Sequence, residues 1–333
     1  MKNRINSKII AFFLCLIGIS AAAVIVFGLV ENIMNKTGNN RSAEDEFSYS
    51  AVAEGSILFE NTRYLPKDSL ETILILGLDK KLTDSSTNRQ NSEQADYLAL
   101  LIMDEEQKNY TILQLNRDTM TEISQLSVTG EKAGTIYAQL ALAHVYGGND
   151  RDRCRNTVRA VENLLYGIDI DHYLSLTMDA VPILNDSVGG VEVQLMDDFT
   201  ELDASFVKDA VVTLHGEQAL AYVQARSSLE DSTNIHRMER QKQYLSALLA
   251  KNNHLNLENA KDTVMQISQY MVSDYTINQL SELMNRLGSY TCNESLTLNG
   301  ESVKGKEYME YYVDEFEVQK LVIELFYTPM EET

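Results

Sequence analysis

Apolar residues recur along the chain with two different periods. ETILILGLD (71–79), YLALLIM (97–103) and YTILQL (110–115) are short, nearly continuous apolar runs, the pattern of strands buried on both faces. The polar DEEQKN (104–109) between the second and third predicts an antiparallel hairpin. The period then lengthens. RDRCRNTVRAVENLLY (151–166) puts Val158, Val161, Leu164 and Leu165 on one helical stripe, and Gly167 closes it. A strand over His172 to Thr177, a short helix over Asp179 to Asn185 and the strand-like VGGVEVQL (188–195) follow. Thr233 to Lys251 repeats Met238, Tyr244, Leu245, Leu248 and Leu249 at helical spacing. Two further helices over 257–272 and 275–287, a strand-like SLTLNG (295–300) and a helix over 315–327 complete the reading. Alternating strands and helices predict an α/β fold, a layered α-β-α sandwich with a central mixed sheet.

The first thirty residues follow another pattern. Lys2, Arg4 and Lys8 precede an apolar run from Ile9 to Val30, long enough to cross a bilayer as one helix. Ala21 to Ala23 resemble a signal-peptide cleavage site. The apolar core continues past them to Val30, so an uncleaved transmembrane anchor is expected. Positive residues before the run and acidic ones after it place the amino terminus in the cytoplasm and the rest outside the cell membrane. NKTGNNRSAEDEFSYSAVAEG (35–55) is polar and aperiodic, as in a stalk. The expected divisions are a cytoplasmic tail (1–8), an anchor (9–30), an extracellular stalk (31–64) and a folded domain (65–330).

Charge narrows the partners. The chain carries 49 acidic against 28 basic side chains, a formal net charge of -21, which argues against nucleic acid because phosphate neutralisation needs a basic face. Any anion site must be local. Cys154 and Cys292 stand outside the anchor, where they could form one disulfide. No CxxC, HExxH or paired histidine spacing occurs among His144, His172, His215, His236 and His254, so no zinc site is expected.

Candidate chemistry gathers at strand ends. Asp79 and Arg117 terminate apolar runs and Asp96 precedes one; in α/β sheets ligands bind where side chains leave the core at such ends. Arg226 comes before the long helix, and Arg237, Arg240 and Gln241 lie within about one turn of each other on it. Each has a plainer account: strand-end aspartates cap turns, and Arg237 and Arg240 form the exposed face of an amphipathic helix. His144 and His236 read as packing or surface residues.

Taken in order, ILILGLD (73–79), QADYLALLIMD (94–104), LQLNRDTM (113–120), AHVYGG (143–148), LLYGIDIDHYLSL (164–176), LNDSVGGVEVQL (184–195), LHGEQALAYVQAR (214–226) and HRMERQ (236–241) resemble the LytR–CpsA–Psr family of membrane-anchored cell-wall ligases. The resemblance implies transfer of an anionic glycopolymer, such as a teichoic acid or capsular polysaccharide, from a polyprenyl diphosphate carrier to peptidoglycan. It implies Mg²⁺ or Mn²⁺ on Asp79 and Asp96, a diphosphate on Arg117 and Arg226, and Arg237, Arg240 and Gln241 completing its cradle. Arg117 and Asp96 are then the catalytic pair, Asp96 accepting the proton of the attacking hydroxyl, with Asp79 or a water as other acceptors. Two cations of the family pattern are missing, at Gln94 and Gln224. Their loss leaves open a non-catalytic binding protein for lipid-linked or wall polymers; a polyprenyl diphosphate hydrolase is a third reading. The insert KKLTDSSTNRQNSE (80–93) is long enough to act as a lid, and its Arg89 is a candidate replacement cation. The prenyl tail needs an apolar groove between sheet and helices, expected along Leu140, Leu142, Val158, Val161 and Leu165.

Overall fold

The computed structural model describes residues 56–79, 93–127, 129–225, 234–251 and 256–330. The anchor expected at 9–30, most of the stalk, Arg89 and Arg226 lie outside these residues. Among the described residues no helix is long and apolar enough to cross a membrane. The chain divides into two compact units, Met1–Arg63 and Tyr64–Thr333. In the first, strand β1 (Ile57–Phe59) alternates buried Ile57 and Phe59, and β2 (Thr62–Pro66) begins there. Regular structure thus starts inside the stretch assigned to the stalk, because this period-2 pattern favours strand.

The second unit runs β3 (Leu70–Leu78), β4 (Ala95–Asp104), β5 (Asn109–Leu115), β6 (Met120–Leu126), β7 (Lys132–Gln139) and a 3-10 helix (Leu140–Val145). Then come α1 (Asp150–Leu164), β8 (His172–Thr177), α2 (Ala180–Ser187), β9 (Val191–Gln194), β10 (Val211–Leu214), α3 (Glu217–Gln224) and α4 (Ile235–Lys251). The remainder is α5 (Leu257–Ile267), β11 (Met271–Ser273), α6 (Ile277–Leu287), β12 (Thr291–Thr297), β13 (Gly300–Lys304), β14 (Met309–Val313), α7 (Glu315–Phe326) and β15 (Tyr327–Pro329).

The central sheet has the order β11-β8-β3-β4-β5-β12. Its strands β3, β5, β8 and β12 run one way while β4 and β11 run against them, so the sheet is mixed as expected. Side chains of a strand alternate between faces, and on β4 both sets are buried: Ala99, Leu101 and Met103 on one face, Leu98, Leu100 and Ile102 on the other. Each large side chain so buried contributes about 2 kcal/mol relative to exposure. The first face is covered by Leu245 and Leu249 of α4, Val264 of α5, and Leu280, Leu283 and Leu287 of α6. The 3-10 helix and α1 cover the other, against β4 and β8.

Local signals explain most helix ends. Asn149 caps α1 by accepting from the Asp152 amide at 3.0 Å, with acidic Asp150 and Asp152 complementing the helix dipole. Its far end closes at Gly167 (φ 82), whose amide donates to Glu162 O at 2.7 Å. Thr276 opens α6 with a capping box to Gln279. One boundary departs from the periodicity. The helix expected to 272 stops at Ile267, and Met271–Ser273 instead pair with Leu174–Leu176 at the sheet edge, where ladder hydrogen bonds outweigh a weak helical preference.

Candidate functional site

The antiparallel register of β4 and β5 dictates who meets at the rim. Leu98 pairs with Leu115, and two residues further out the same register sets Asp96 opposite Arg117. There the Arg117 guanidinium forms an ion pair with Asp96 through Nη1, while Nη2 donates to Gln94 Oε1 at 3.2 Å. Its Nε lies 3.4 Å from Asp118 Oδ1. The turn that presents Arg117 is fixed by buried Asn116, whose side chain accepts from the Asp118 amide at 3.0 Å and whose carbonyl accepts from the Thr119 amide at 3.0 Å.

Asp79 follows β3, whose last residue Leu78 pairs with Ala95. The two candidate metal carboxylates therefore flank one paired position at the carboxyl ends of β3 and β5. Asp79 is exposed, and its Oδ1 accepts from Gln224 Nε2 at 3.1 Å. An amide thus occupies the place where the family pattern has a guanidinium.

Asp118 ties the arginines together. It accepts from Gln139 Nε2 at 2.9 Å, and the same nitrogen reaches Met309 O at 2.7 Å. Burial raises its carboxyl above the ordinary carboxylate range, against the pull of the Arg117 and Arg237 charges, which places Arg237 in the same neighbourhood. Arg237 also donates through Nε to Asn234 Oδ1 at 2.8 Å.

Arg240 and Gln241 depart from the expected cradle. Arg240 is 1% exposed; its Nη1 pairs with Asp197 Oδ2 at 2.6 Å, its Nη2 bonds Ala225 O, and its guanidinium lies 5.8 Å from the Phe199 ring centroid. Gln241 is buried and donates to Val223 O at 3.2 Å. Residues three and four apart share a helix face, so the three lie on one side of α4; Asp197, Ala225 and Val223 receive Arg240 and Gln241 in the interior, while Arg237 in the first turn is only half-buried. Arg226 lies outside the described residues.

The apolar groove also has other walls than expected. A cavity of about 120 Å³ lies between the sheet and α4 to α6, lined by Leu101, Leu174, Leu176, Leu245, Leu248 and Met284 among others. Leu140, Val161 and Leu165 are instead fully buried core in the 3-10 helix and at α1 on the opposite layer, with Leu142 and Val158 partly buried beside them.

Among the described residues no group of three or more His, Cys, Asp or Glu could hold a metal ion. Asp79 and Asp96 still suit Mg²⁺, a hard cation that takes one or two carboxylates and fills its shell with waters and substrate phosphate oxygens. Cys154 and Cys292 are free thiols. Burial pushes Cys154 up to about 12, and its Sγ lies 3.7 Å from Nε2 of buried His144. Nδ1 of that histidine is 2.9 Å from Glu93 O, and Arg153 pairs with the Glu93 carboxylate at 2.8 Å, so the start of β4 is fastened from behind. Sequence reading placed Asp118 in the turn around Arg117 without its bond to Gln139, and it missed Gln139. For Asp118 the signal was its place after Arg117; for Gln139, whose contacts come from distant segments, there was none.

Comparison with known proteins bears on the family and the fold. The family model described as "LytR_cpsA_psr family" matches residues 30–326. The chain is 31% identical over 235 residues to TagV of Bacillus subtilis, named a polyisoprenyl-teichoic acid--peptidoglycan teichoic acid transferase. That match covers 68% of this chain and 54% of TagV, so the chain spans about half of that relative. It is 27% identical over 294 residues to TagU of Halalkalibacterium halodurans, which carries the same transferase name, covering 87% of this chain and 88% of that one. The crystal structure of B. subtilis TagV superposes with a TM-score of 0.60 at 25% identity, over 78% of this chain and 97% of that one. Protein gbs0355 of Streptococcus agalactiae superposes with a TM-score of 0.62 at 20% identity, over 77% and 87% respectively, which bears on the fold.

Proposed function

The chain belongs to the LytR_cpsA_psr family, and from that premise we propose that it transfers an anionic glycopolymer from a polyprenyl diphosphate carrier to a hydroxyl of peptidoglycan. The acceptor oxygen attacks the phosphorus that bears the polymer, and the bond from that phosphorus to the bridging oxygen breaks. A phosphodiester forms and polyprenyl phosphate leaves. The names of TagV and TagU support this reaction class.

The single observation that carries the reading is the position of Arg117. A cation on a strongly acidic chain is fixed at the carboxyl edge of the sheet by Asp96, Gln94 and Asp118, with Arg237 nearby and a carboxylate, Asp79, just past the end of β3 on the far side of β4. Phosphoryl transfer is accelerated mainly by positioning and by charge aimed at the phosphoryl oxygens, which is what a preorganised guanidinium supplies. Arg117 and Arg237 hold the diphosphate, and Arg226 is assigned with them from the family pattern. Asp79 and Asp96 would hold Mg²⁺, which when bound neutralises phosphate charge. The hydroxyl proton passes to a carboxylate of this pair. Asp96 is the acceptor on the sequence reading, but its ion pair with Arg117 weakens it as a base and favours exposed Asp79. The cavity beneath α4 to α6 accommodates the start of the prenyl chain. The domain works on the outer face of the membrane, anchored by 9–30, with no nucleic acid partner.

One observation keeps a second reading in play: Gln224 meets Asp79 through an amide, so a non-catalytic binder of lipid-linked polymer is the alternative. The test uses the full chain in detergent with a prenyl diphosphate-linked donor and peptidoglycan. Release of polyprenyl phosphate that requires both acceptor and Mg²⁺, and falls about 100-fold in Arg117→Ala, supports the ligase. Donor binding without release supports the binder. Release without acceptor makes the protein a hydrolase.

A further inference from the structure

Beside the arginine site, β6, β7 and β14 present a face whose exposed side chains are aromatic and acidic. Register puts them together. Glu122 pairs with Tyr137 and Met120 with Gln139 on β6 and β7, and Thr119 bridges Tyr311 in parallel, which sets Met120 beside Tyr312. Residues two apart on a strand share a face, so Glu122, Tyr137, Gln139, Tyr312 and Glu310 lie on one surface. Tyr137 is 60% and Tyr312 40% exposed, whereas Tyr311, on the opposite side of β14, is buried. Tyr312 donates to Glu310 Oε2 at 2.7 Å, which holds its ring tip in place. That bond chiefly raises the Tyr312 phenol, and the register sets Tyr137 and Tyr312 on either side of β6 with their side chains on one face. Tyr308, just before β14, and Phe316, in the first turn of α7, are also exposed.

The face joins the reaction site directly. Gln139, two residues from Tyr137, donates to Asp118, the neighbour and partner of Arg117, and the Tyr311 amide donates to Asp118 O at 2.9 Å. We infer that this tyrosine face binds the glycan strand of the peptidoglycan acceptor and delivers its hydroxyl to the phosphorus held at Arg117; the inference rests on the ligase reading. Charge decides between the two polymers of the reaction. Glu122, Glu310 and Glu315 border the rings, so a polyanionic donor chain is repelled, while the uncharged sugar rings of a glycan can stack on tyrosine and bond to carboxylates. Tyrosine gives a large, rigid contact with a polar tip at little entropic cost.

The experiment uses the full chain in detergent with Tyr137→Ala/Tyr312→Ala and Tyr137→Phe/Tyr312→Phe. Peptidoglycan glycan fragments freed of donor serve as the binding probe. The alanine pair is expected to weaken fragment binding and to raise the acceptor KM about ten-fold, leaving donor KM unchanged, while the phenylalanine pair keeps most of both. Unchanged fragment affinity in the alanine pair overturns the inference, and a rise in donor KM instead assigns the face to the other polymer. The binding measurement needs no turnover. Fragment binding that depends on the tyrosines in a wild-type protein without transferase activity therefore sinks the ligase reading while sparing the glycan face.

Discussion

Replacing Arg240 with methionine separates a buried structural cation from a substrate-binding one. In the folded chain the Arg240 guanidinium is 1% exposed, ion-paired to Asp197 and bonded to Ala225 O. Breaking a buried pair from one side costs about 3–5 kcal/mol because the remaining charge is stranded. The Asp197 side chain retains 31% exposure and can rehydrate, which places the expected loss near the lower end, about 3 kcal/mol. For a domain of this size that lowers Tm by about 5 °C. Calorimetry and urea denaturation measure the loss, and steady-state kinetics with the prenyl diphosphate donor run beside them. Arg240→Met should lose stability while donor KM stays within about two-fold, since roughly 0.4 kcal/mol is all that two-fold represents. Adding Asp197→Leu should recover most of the loss, because both partners are then apolar. A variant with wild-type stability and a ten-fold higher donor KM would refute the reasoning and return Arg240 to the diphosphate.

Three further outcomes follow from the same geometry. Gln224→Arg keeps a donor to Asp79 and adds a cation next to the phosphate site; one charge-assisted contact of about 1.5–3 kcal/mol should lower donor KM at least ten-fold, read by initial rates. Burial, opposed by the bond to Glu93 O and joined by the Arg153 charge, holds the His144 imidazole below its usual 6.5. The unfolded chain takes up that proton as pH falls through 6.5 and the folded chain only at lower pH, so stability drops as pH falls below 6.5 and is flat well above it. Urea midpoints at pH 8 and pH 5 should therefore diverge more in the wild type than in His144→Gln, and equal divergence would discard the account. Leu248→Phe narrows the apolar cavity and should weaken binding of long-chain prenyl diphosphates while sparing a short-chain one, as isothermal titration would show.

Much of the architecture was written in local pattern. The apolar runs at 71–79, 97–103 and 110–115 became β3, β4 and β5 because a strand buried on both faces can be built from little else. The hairpin between β4 and β5 then carried Asp96 and Arg117 to one rim, so the core of the site followed from strand ends and register. Helices α1, α4, α5, α6 and α7 were marked by their period, and in the structure Asn149, Thr276 and Asp314 cap three of them.

What the chain order withheld was the direction of individual side chains once distant segments arrived. Arg237 and Arg240 are three residues apart and alike in chemistry, yet Asp197, 43 residues upstream, draws Arg240 into the interior. Gln139 became a link between Asp118 and Met309, 170 residues apart from it in the second case, through contacts that no spacing rule encodes. The tyrosine face arose the same way, from β14 docking beside β6. Periodicity reports which residues share a side of one element; which partner waits on that side is a property of the packed whole, and there the burial of charge decides.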